Sequence, residues 1–366
     1  MKKLYDIILY FSWVHSSHIH KYLALKEELN KYVNTLLIFG NGQLGVSQDQ
    51  EKAFDKFFDN TITTNLNQAT QILLDNKPKI LIFGSDKQTS HWQRQINNQL
   101  SRSTTVQLPS CHGPDLYYSG TDLIAVLGPV QEILNKNLPD AAGVNKININ
   151  PWLYDLVEDC LPYQLSKEQF CEKYRLKANE EIFLWLPDMT TVSGAIIGTK
   201  EEALQRYKKV CELENVITKV HPNEFKRYKS EKINNKWSYE IAGAHSPILD
   251  PIDAHWAYKY CDCGISDTSI TGIEFGFFNK PFIYLDECAP QVDDGSHWEK
   301  FYIVNGKNYF SWVGHECPSN QLNEFIEKKQ YKIKDNSLYQ QHREKFCENP
   351  NKTGIKLLTE AVLELL

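Results

Sequence analysis

Apolar residues along this chain fall into short, almost unbroken runs, separated by stretches in which they recur every three or four positions. "LYDIILYF" (4–11), "NTLLIFG" (34–40), "PKILIFG" (78–84), "TTVQLP" (104–109) and "TDLIAVLG" (121–128) are runs of the first kind. Each is short and bounded by Gly, Pro or polar residues, which predicts buried strands. "HIHKYLALKEELNKYV" (18–33) has helical spacing, and further helices are predicted near 49–58, 66–76 and 88–100. Strands apolar on both faces and alternating with helices indicate a parallel sheet covered on both sides. The first 150 residues therefore read as a Rossmann-like α/β unit.

The pattern breaks at "NLPDAAGVNKININPW" (137–152), where Pro, Gly and Asn interrupt it, and a helical segment near 151–175 is predicted to follow. The alternation then resumes with strands at "EIFLWLP" (181–187), "NVITKVHP" (215–222), "CGIS" (263–266) and "PFIYLD" (281–286). Helices at 200–214 and 253–261 and one opening after Ser266 lie between them. The expected organisation is a Rossmann-like domain at 1–150, a crossing at 151–165, a second Rossmann-like domain at 166–345 and a final helical segment at 346–366. In that last segment Ile355, Leu358, Ala361, Val362 and Leu365 share a helix face that needs a surface to cover. Two such halves facing a cleft would present the residues just after their strands to a ligand.

Bulk properties narrow the function. Of 366 residues, 42% are apolar and 23% charged, an ordinary folded balance, and the net charge of −6 carries no basic footprint for nucleic acid. No apolar run reaches the roughly 18 residues of a membrane span, and "MKKLYDIILYFSW" enters a strand pattern rather than a signal peptide. A cytoplasmic protein is expected, with peripheral membrane contact left open. Nine cysteines, an odd number without C-x-x-C spacing, argue against a secreted disulfide framework, and Cys261 and Cys263, alternating along one strand face, read as buried thiols. His15, His18 and His20 suggest a metal cluster, but positions two apart cannot share a helix face, so neither metal nor other cofactor is expected. His15, with Trp13, is placed instead on the acceptor side of the cleft.

The chemistry concentrates in "GISDTSITGIEFGFFNKPFIYLD" (264–286), where four small polar residues stand between a buried strand and a helix. Ser, Thr and Asp there can cap the helix, or, with its free amides, hold the phosphates of a nucleotide donor without a metal. Thr268 and Ser269 would supply hydroxyls, His221 at the end of its strand a charge-assisted bond, and Glu274, one turn on, an acceptor for ribose hydroxyls.

Three stretches, "VQLPSCHGPDLYYSGTDLIAVLGPVQEIL" (106–134), "VITKVHPNEF" (216–225) and "DPIDAHWAYKYCDCGISDTSITGIEFGFFNKPFIYLD" (250–286), resemble at similar spacing the CDP-glycerol glycerophosphotransferases and related polyol-phosphate polymerases of teichoic acid and capsule synthesis. The resemblance implies a glycosyltransferase-B fold, with the acceptor held by the N-terminal domain and a CDP- or UDP-linked donor by the C-terminal one. It implies His112 as the base for the acceptor hydroxyl, and His221, Thr268 and Ser269 as the donor-phosphate residues. The family's Thr-Trp-Arg signature stands here as Pro187-Asp188-Met189-Thr190, and the Lys that follows its His-Gly element is missing. The expected function is transfer of a polyol-phosphate or glycosyl group to a cell-envelope or capsular glycan. Two alternatives stand beside it: a nucleotide-sugar epimerase of the non-hydrolysing UDP-N-acetylglucosamine 2-epimerase type, which shares a His-Pro-Asn element like 221–223, and a degenerate glycan- or nucleotide-binding module.

Overall fold

The computed structural model describes residues 4–11, 18–40, 59–84, 103–109, 121–128, 144–152, 155, 158–187, 200–220, 246–267, 269, 271, 275, 278–285, 303–304, 307–308, 314–332, 344 and 347–366. The chain divides into two compact units, residues 1–164 with 344–366, and residues 165–343. Strands of the first unit are β1 (Ile7–Phe11), β2 (Thr35–Gly40), β3 (Thr61–Thr64), β4 (Ile80–Gly84), β5 (Thr104–Leu108), β6 (Leu123–Leu127) and β7 (Asn145–Ile149). Those of the second are β8 (Phe183–Leu186), β9 (Val216–Thr218), β10 (Cys263–Ser266), β11 (Phe282–Leu285), the short antiparallel pair β12 (Ile303–Val304) and β13 (Lys307–Asn308), and β14 (His315–Cys317). Helices referred to below are α1 (Ile19–Asn30), α2 (Leu66–Asn76), α3 (Lys167–Tyr174), α4 (Lys200–Cys211), α5 (Ala254–Tyr260), α6 (Leu322–Glu327) and α7 (Gly354–Leu363).

The first unit is built on a seven-stranded parallel sheet of order β3-β2-β1-β4-β5-β6-β7. Its central strands are buried on both faces, which is why they read as unbroken apolar runs. On one face Ile8, Tyr10, Leu36, Ile38, Leu81 and Phe83 close against Ala69 and Leu73 of α2. Asn65 caps that helix by accepting from the Gln68 amide at 3.0 Å, and Lys77 ends it in the left-handed region. The last helix, α7, belongs to this unit and lies against α1 and β7. Ile355, Leu358 and Val362 are its buried apolar positions, while Ala361 and Leu365 are partly exposed.

The second unit has a five-stranded parallel sheet of order β14-β11-β10-β8-β9. Trp185, Ile265, Ile283 and Leu285 form its core with Val210 and Cys211 of α4, Leu322 of α6 and Tyr331. Two parallel α/β sheets, the fold class expected from the hydrophobic pattern, are therefore present.

Five strands depart from the sequence reading: β12 and β13, which pair only with each other, and three edges of the parallel sheets. β7 lies inside the segment read as a break, while β3 and β14 fall where no strand was expected. An edge strand is covered on fewer sides, and β7 keeps Asn145, Lys146 and Asn148 exposed, so no continuous apolar run marks it. The helix expected across 151–175 is also corrected. Helix occupies Lys167–Tyr174, whereas residues 159–163 make turns and bends and 164–166 have no regular structure. Pro162 cannot continue a helix, and Ser166 starts the real one through a capping box, accepting from the Gln169 amide at 3.2 Å while its own amide donates to Gln169 Oε1 at 2.9 Å.

Candidate functional site

Each sheet reverses its strand order at one place, and in open α/β sheets the crevice at the carboxyl ends of the strands flanking that place is where ligands bind. In the first unit the chain moves outward from β1 to β3 on one side and returns as β4 on the other, so the reversal lies between Phe11 and Gly84. Phe11 is fixed there by the ring of Tyr22 at 4.2 Å, and Tyr22 packs edge-on against Trp152 at 5.1 Å. Trp13 and His15 follow Phe11 in the chain and His112 follows β5; all three lie outside the described residues.

In the second unit the reversal lies between β8 and β10. The Ser266 hydroxyl, fully buried, donates to the Leu186 carbonyl at 2.8 Å and ties together the carboxyl ends of these two strands. The small polar stretch thus begins at the reversal point, and Ser269 beyond it is buried. Ser269 is the one sequence-predicted site residue that falls among the described residues; His221, Thr268 and Glu274 do not. Val220, immediately before His221, is buried, and Thr271 and Phe275, on either side of Glu274, are helical.

Phe275 approaches the sheet closely because β10 carries a glycine. A Cβ on Gly264 would stand 2.8 Å from the Phe275 ring, so only glycine lets that ring come so close to the strand. Tyr258 of α5 stacks on Phe278 at 5.0 Å and extends the same aromatic layer.

Polar residues of the 250–286 block brace α5 and the approach to β10, and the sequence reading passed over most of them. Asp250 caps the turn into α5, accepting from the Ile252 amide at 3.2 Å. Asp253, wholly buried, accepts from Lys173 at 2.5 Å and from the Tyr174 hydroxyl. Burial, reinforced by the Asp253 charge, pushes the Tyr174 phenol far above its ordinary range, so it remains a donor. Asp262 accepts from the Ile182 amide at 2.9 Å and sets the start of β8 beside β10. Lys280 donates to the carbonyls of Tyr258, Lys259 and Cys261 at 2.9, 2.6 and 2.6 Å, closing the carboxyl end of α5, and its burial lowers its affinity for protons. A lysine before Pro281 at the start of an apolar run was the available signal, but nothing in the linear pattern names three carbonyls as its partners.

Cys261 and Cys263 are buried, and desolvation pushes both thiols up, so they are packed as protonated side chains. His18 stands at the amino end of α1 and His20 is buried in it. Among the described residues no group of three or more His, Cys, Asp or Glu side chains could hold a metal ion, and no helix is long and apolar enough to cross a membrane.

No protein-family model matches the chain, and no curated protein matches it in sequence. Solved structures do. A variant of the wall teichoic acid polymerase TagF soaked with CDPG superposes with a TM-score of 0.62 and 13% identity, covering 99% of this chain and 90% of that one. MnaA of S. aureus in a co-structure with UDP gives 0.56 and 14%, over 99% and 98%. The UDP-GlcNAc 2-epimerase of Neisseria meningitidis bound to UDP-GlcNAc gives 0.60 and 12%, over 98% and 99%. At such identity the likeness is one of fold: this chain shares with these proteins a glycosyltransferase-B-like α/β fold.

Proposed function

We propose that the protein is a transferase that takes a nucleotide-activated donor, CDP-linked in the first instance, and moves a polyol-phosphate or glycosyl group onto a cell-envelope or capsular glycan. The observation that carries this reading is the position of Ser266 at the strand-order reversal of the second sheet, where its buried hydroxyl bridges β8 and β10. Small polar residues opening a helix at such a point suit the phosphates of a nucleoside diphosphate, whose charge the free amides offset. Thr268, Ser269 and His221 hold the phosphates in this reading, and Glu274 the ribose. His112 takes the proton of the acceptor hydroxyl, and Trp13 and His15 line the acceptor side. If the hydroxyl oxygen attacks phosphorus, the P–O bond to the nucleotide breaks and the nucleoside monophosphate leaves. Attack at an anomeric carbon instead releases the nucleoside diphosphate. A cytoplasmic protein, with donor and acceptor domains divided near residues 151–165, is the corresponding organisation.

Epimerisation of a nucleotide sugar is the second reading, favoured by the 0.60 TM-score to the UDP-GlcNAc 2-epimerase and by His221-Pro222-Asn223. Thermal shifts with CDP, UDP, CMP and GDP separate the two, since binding to the folded state raises the melting temperature. A selective shift with CDP, followed by CMP release from CDP-glycerol in the presence of acceptor, supports transfer. A UDP-selective shift without nucleotide release from UDP-GlcNAc would replace it by epimerisation. In the transfer assay His112→Ala is expected to lower turnover by roughly 10² to 10⁴-fold with nucleotide affinity nearly unchanged.

A further inference from the structure

A helix amino end offers about half a unit of positive charge, far less than the negative charge of a diphosphate. The stretch Ser266-Asp267-Thr268-Ser269 adds no cation to it and brings one anion, and Pro187-Asp188-Met189-Thr190 after β8 supplies none either. A nucleoside diphosphate held at this edge needs a cation from elsewhere in the second unit.

Strand register places one there. Thr218 of β9 lies opposite Trp185 of β8, and its hydroxyl meets the Cys211 thiol of α4 at 3.6 Å, so Thr218 is turned toward the α4 face of the sheet. Lys219, the next residue, falls by alternation on the other face. Its amide donates to the Trp185 carbonyl at 2.9 Å, which sets Lys219 beside Leu186. Leu186 pairs in turn with Ser266 of β10 and accepts its hydroxyl at 2.8 Å. Ser266, Leu186 and Lys219 therefore stand side by side at the carboxyl edge of three adjacent strands. Their common face is the one on which Phe275 packs against Gly264, since Gly264 pairs with Leu184 in the same register. Two strand spacings, about 10 Å, separate the Lys219 backbone from that of Ser266, and an extended lysine spans much of that distance. Only 7% of Lys219 is exposed, a depth uncommon for a lysine without an anion to meet.

We infer that Lys219 is a binding residue for the donor, its ammonium meeting the diphosphate beside Ser266 as a point charge. The inference rests on the nucleoside diphosphate common to both readings above, and it is indifferent to whether transfer or epimerisation follows. No bond is made or broken at Lys219; its contribution is to affinity and to the preference for diphosphate over nucleoside.

Calorimetric titration of the full chain with CDP, UDP, CMP and cytidine tests this in wild type, Lys219→Met and Lys219→Arg. Met keeps the length and burial of the side chain and removes its charge. Lys219→Met is expected to weaken CDP and UDP tenfold or more, CMP less, and cytidine not at all. The fall of CDP affinity with added salt should be shallower in Lys219→Met than in wild type, and Lys219→Arg should keep most of the affinity. Lys219→Gln gives the same readouts if the Met variant does not fold. Unchanged CDP affinity in a folded, uncharged variant overturns the inference and leaves the proposed function standing, as does equal loss of CDP and cytidine. Failure of both uncharged variants to fold, with Lys219→Arg folded, assigns the charge to the fold and overturns it as well. A wild type that binds neither CDP nor UDP overturns the functional reading and this inference with it.

Discussion

Ser269 and its neighbour Thr268 can act as a helix cap or as a phosphate cradle, and these roles differ in what they respond to. A cap acts on folding and is indifferent to ligand, whereas a hydroxyl bonded to a charged oxygen contributes about 1.5–3 kcal/mol to binding. Thr268→Ala with Ser269→Ala is therefore expected to weaken nucleoside diphosphate tenfold or more while sparing the unphosphorylated nucleoside. Glu274→Gln should weaken ribonucleotides and spare their 2′-deoxy analogues. Titration of nucleoside, monophosphate and diphosphate against each variant decides, and a double variant that loses melting temperature but binds CDP and UDP normally would leave only the cap. Lys280 gives a contrasting expectation. Its three carbonyl partners hold a scaffold rather than a ligand, so Lys280→Met should cost about 1.5–3 kcal/mol and several degrees of melting temperature. Thiol mapping gives a third test. The seven described cysteines are buried, and in Cys171, Cys211, Cys261 and Cys263 desolvation raises the thiol, so all seven should label slowly at pH 7.5 in the native protein and quickly in denaturant.

At the scale of elements, the contact between β10 and the helix after Ser269 joins folding to the candidate site. Gly264→Ala would drive a methyl into the Phe275 ring, and such overpacking costs about 1–3 kcal/mol unless the ring moves. Stability should fall and, on the proposed reading, nucleotide affinity with it, because Phe275 lies six residues beyond Ser269. Phe275→Leu in the same chain makes room and should restore part of both. Restoration of stability without affinity would show that the helix does not position the ligand. The 250–286 block, the most specific part of the family resemblance, divides in the same way. Asp250, Asp253, Asp262 and Lys280 brace the strand and helix, while the Ser266 hydroxyl ties β10 to β8 at the strand-order reversal.

For the molecule as a whole, the division into units does not follow the order of the chain. Residues 344–366 return to the first unit, where α7 covers α1 and β7. Removing 344–366 strips Ile355, Leu358 and Val362 from that unit, each worth roughly 1.5–3 kcal/mol in burial, and leaves Asn150 and Asp155 without backbone partners. Hydrogen exchange of the truncated chain should show lost protection in α1, β6 and β7, with β8, β10 and β11 keeping theirs. Equal loss in both units would mean that they do not unfold separately.

Much of this architecture was legible in one dimension. Buried strands such as β1, β2, β4, β6 and β8 are apolar on both faces, a pattern that alternation with helices turns into a parallel sheet. Of the candidate site, the residue types at 264–286 and the strand-to-helix transition could be read directly, because caps and phosphate-binding turns draw on the same few small polar side chains. The edge strands β3, β7 and β14 could not, since their half-covered surfaces carry no unbroken apolar signal. Nor could strand order, which rests on crossovers between distant segments and alone places Ser266 at a reversal point beside Leu186. Lys280 on the end of α5 belongs to the same class. A charge in a sequence is by default a solvated surface group, and only the fold, by removing water and bringing up remote partners, decides otherwise.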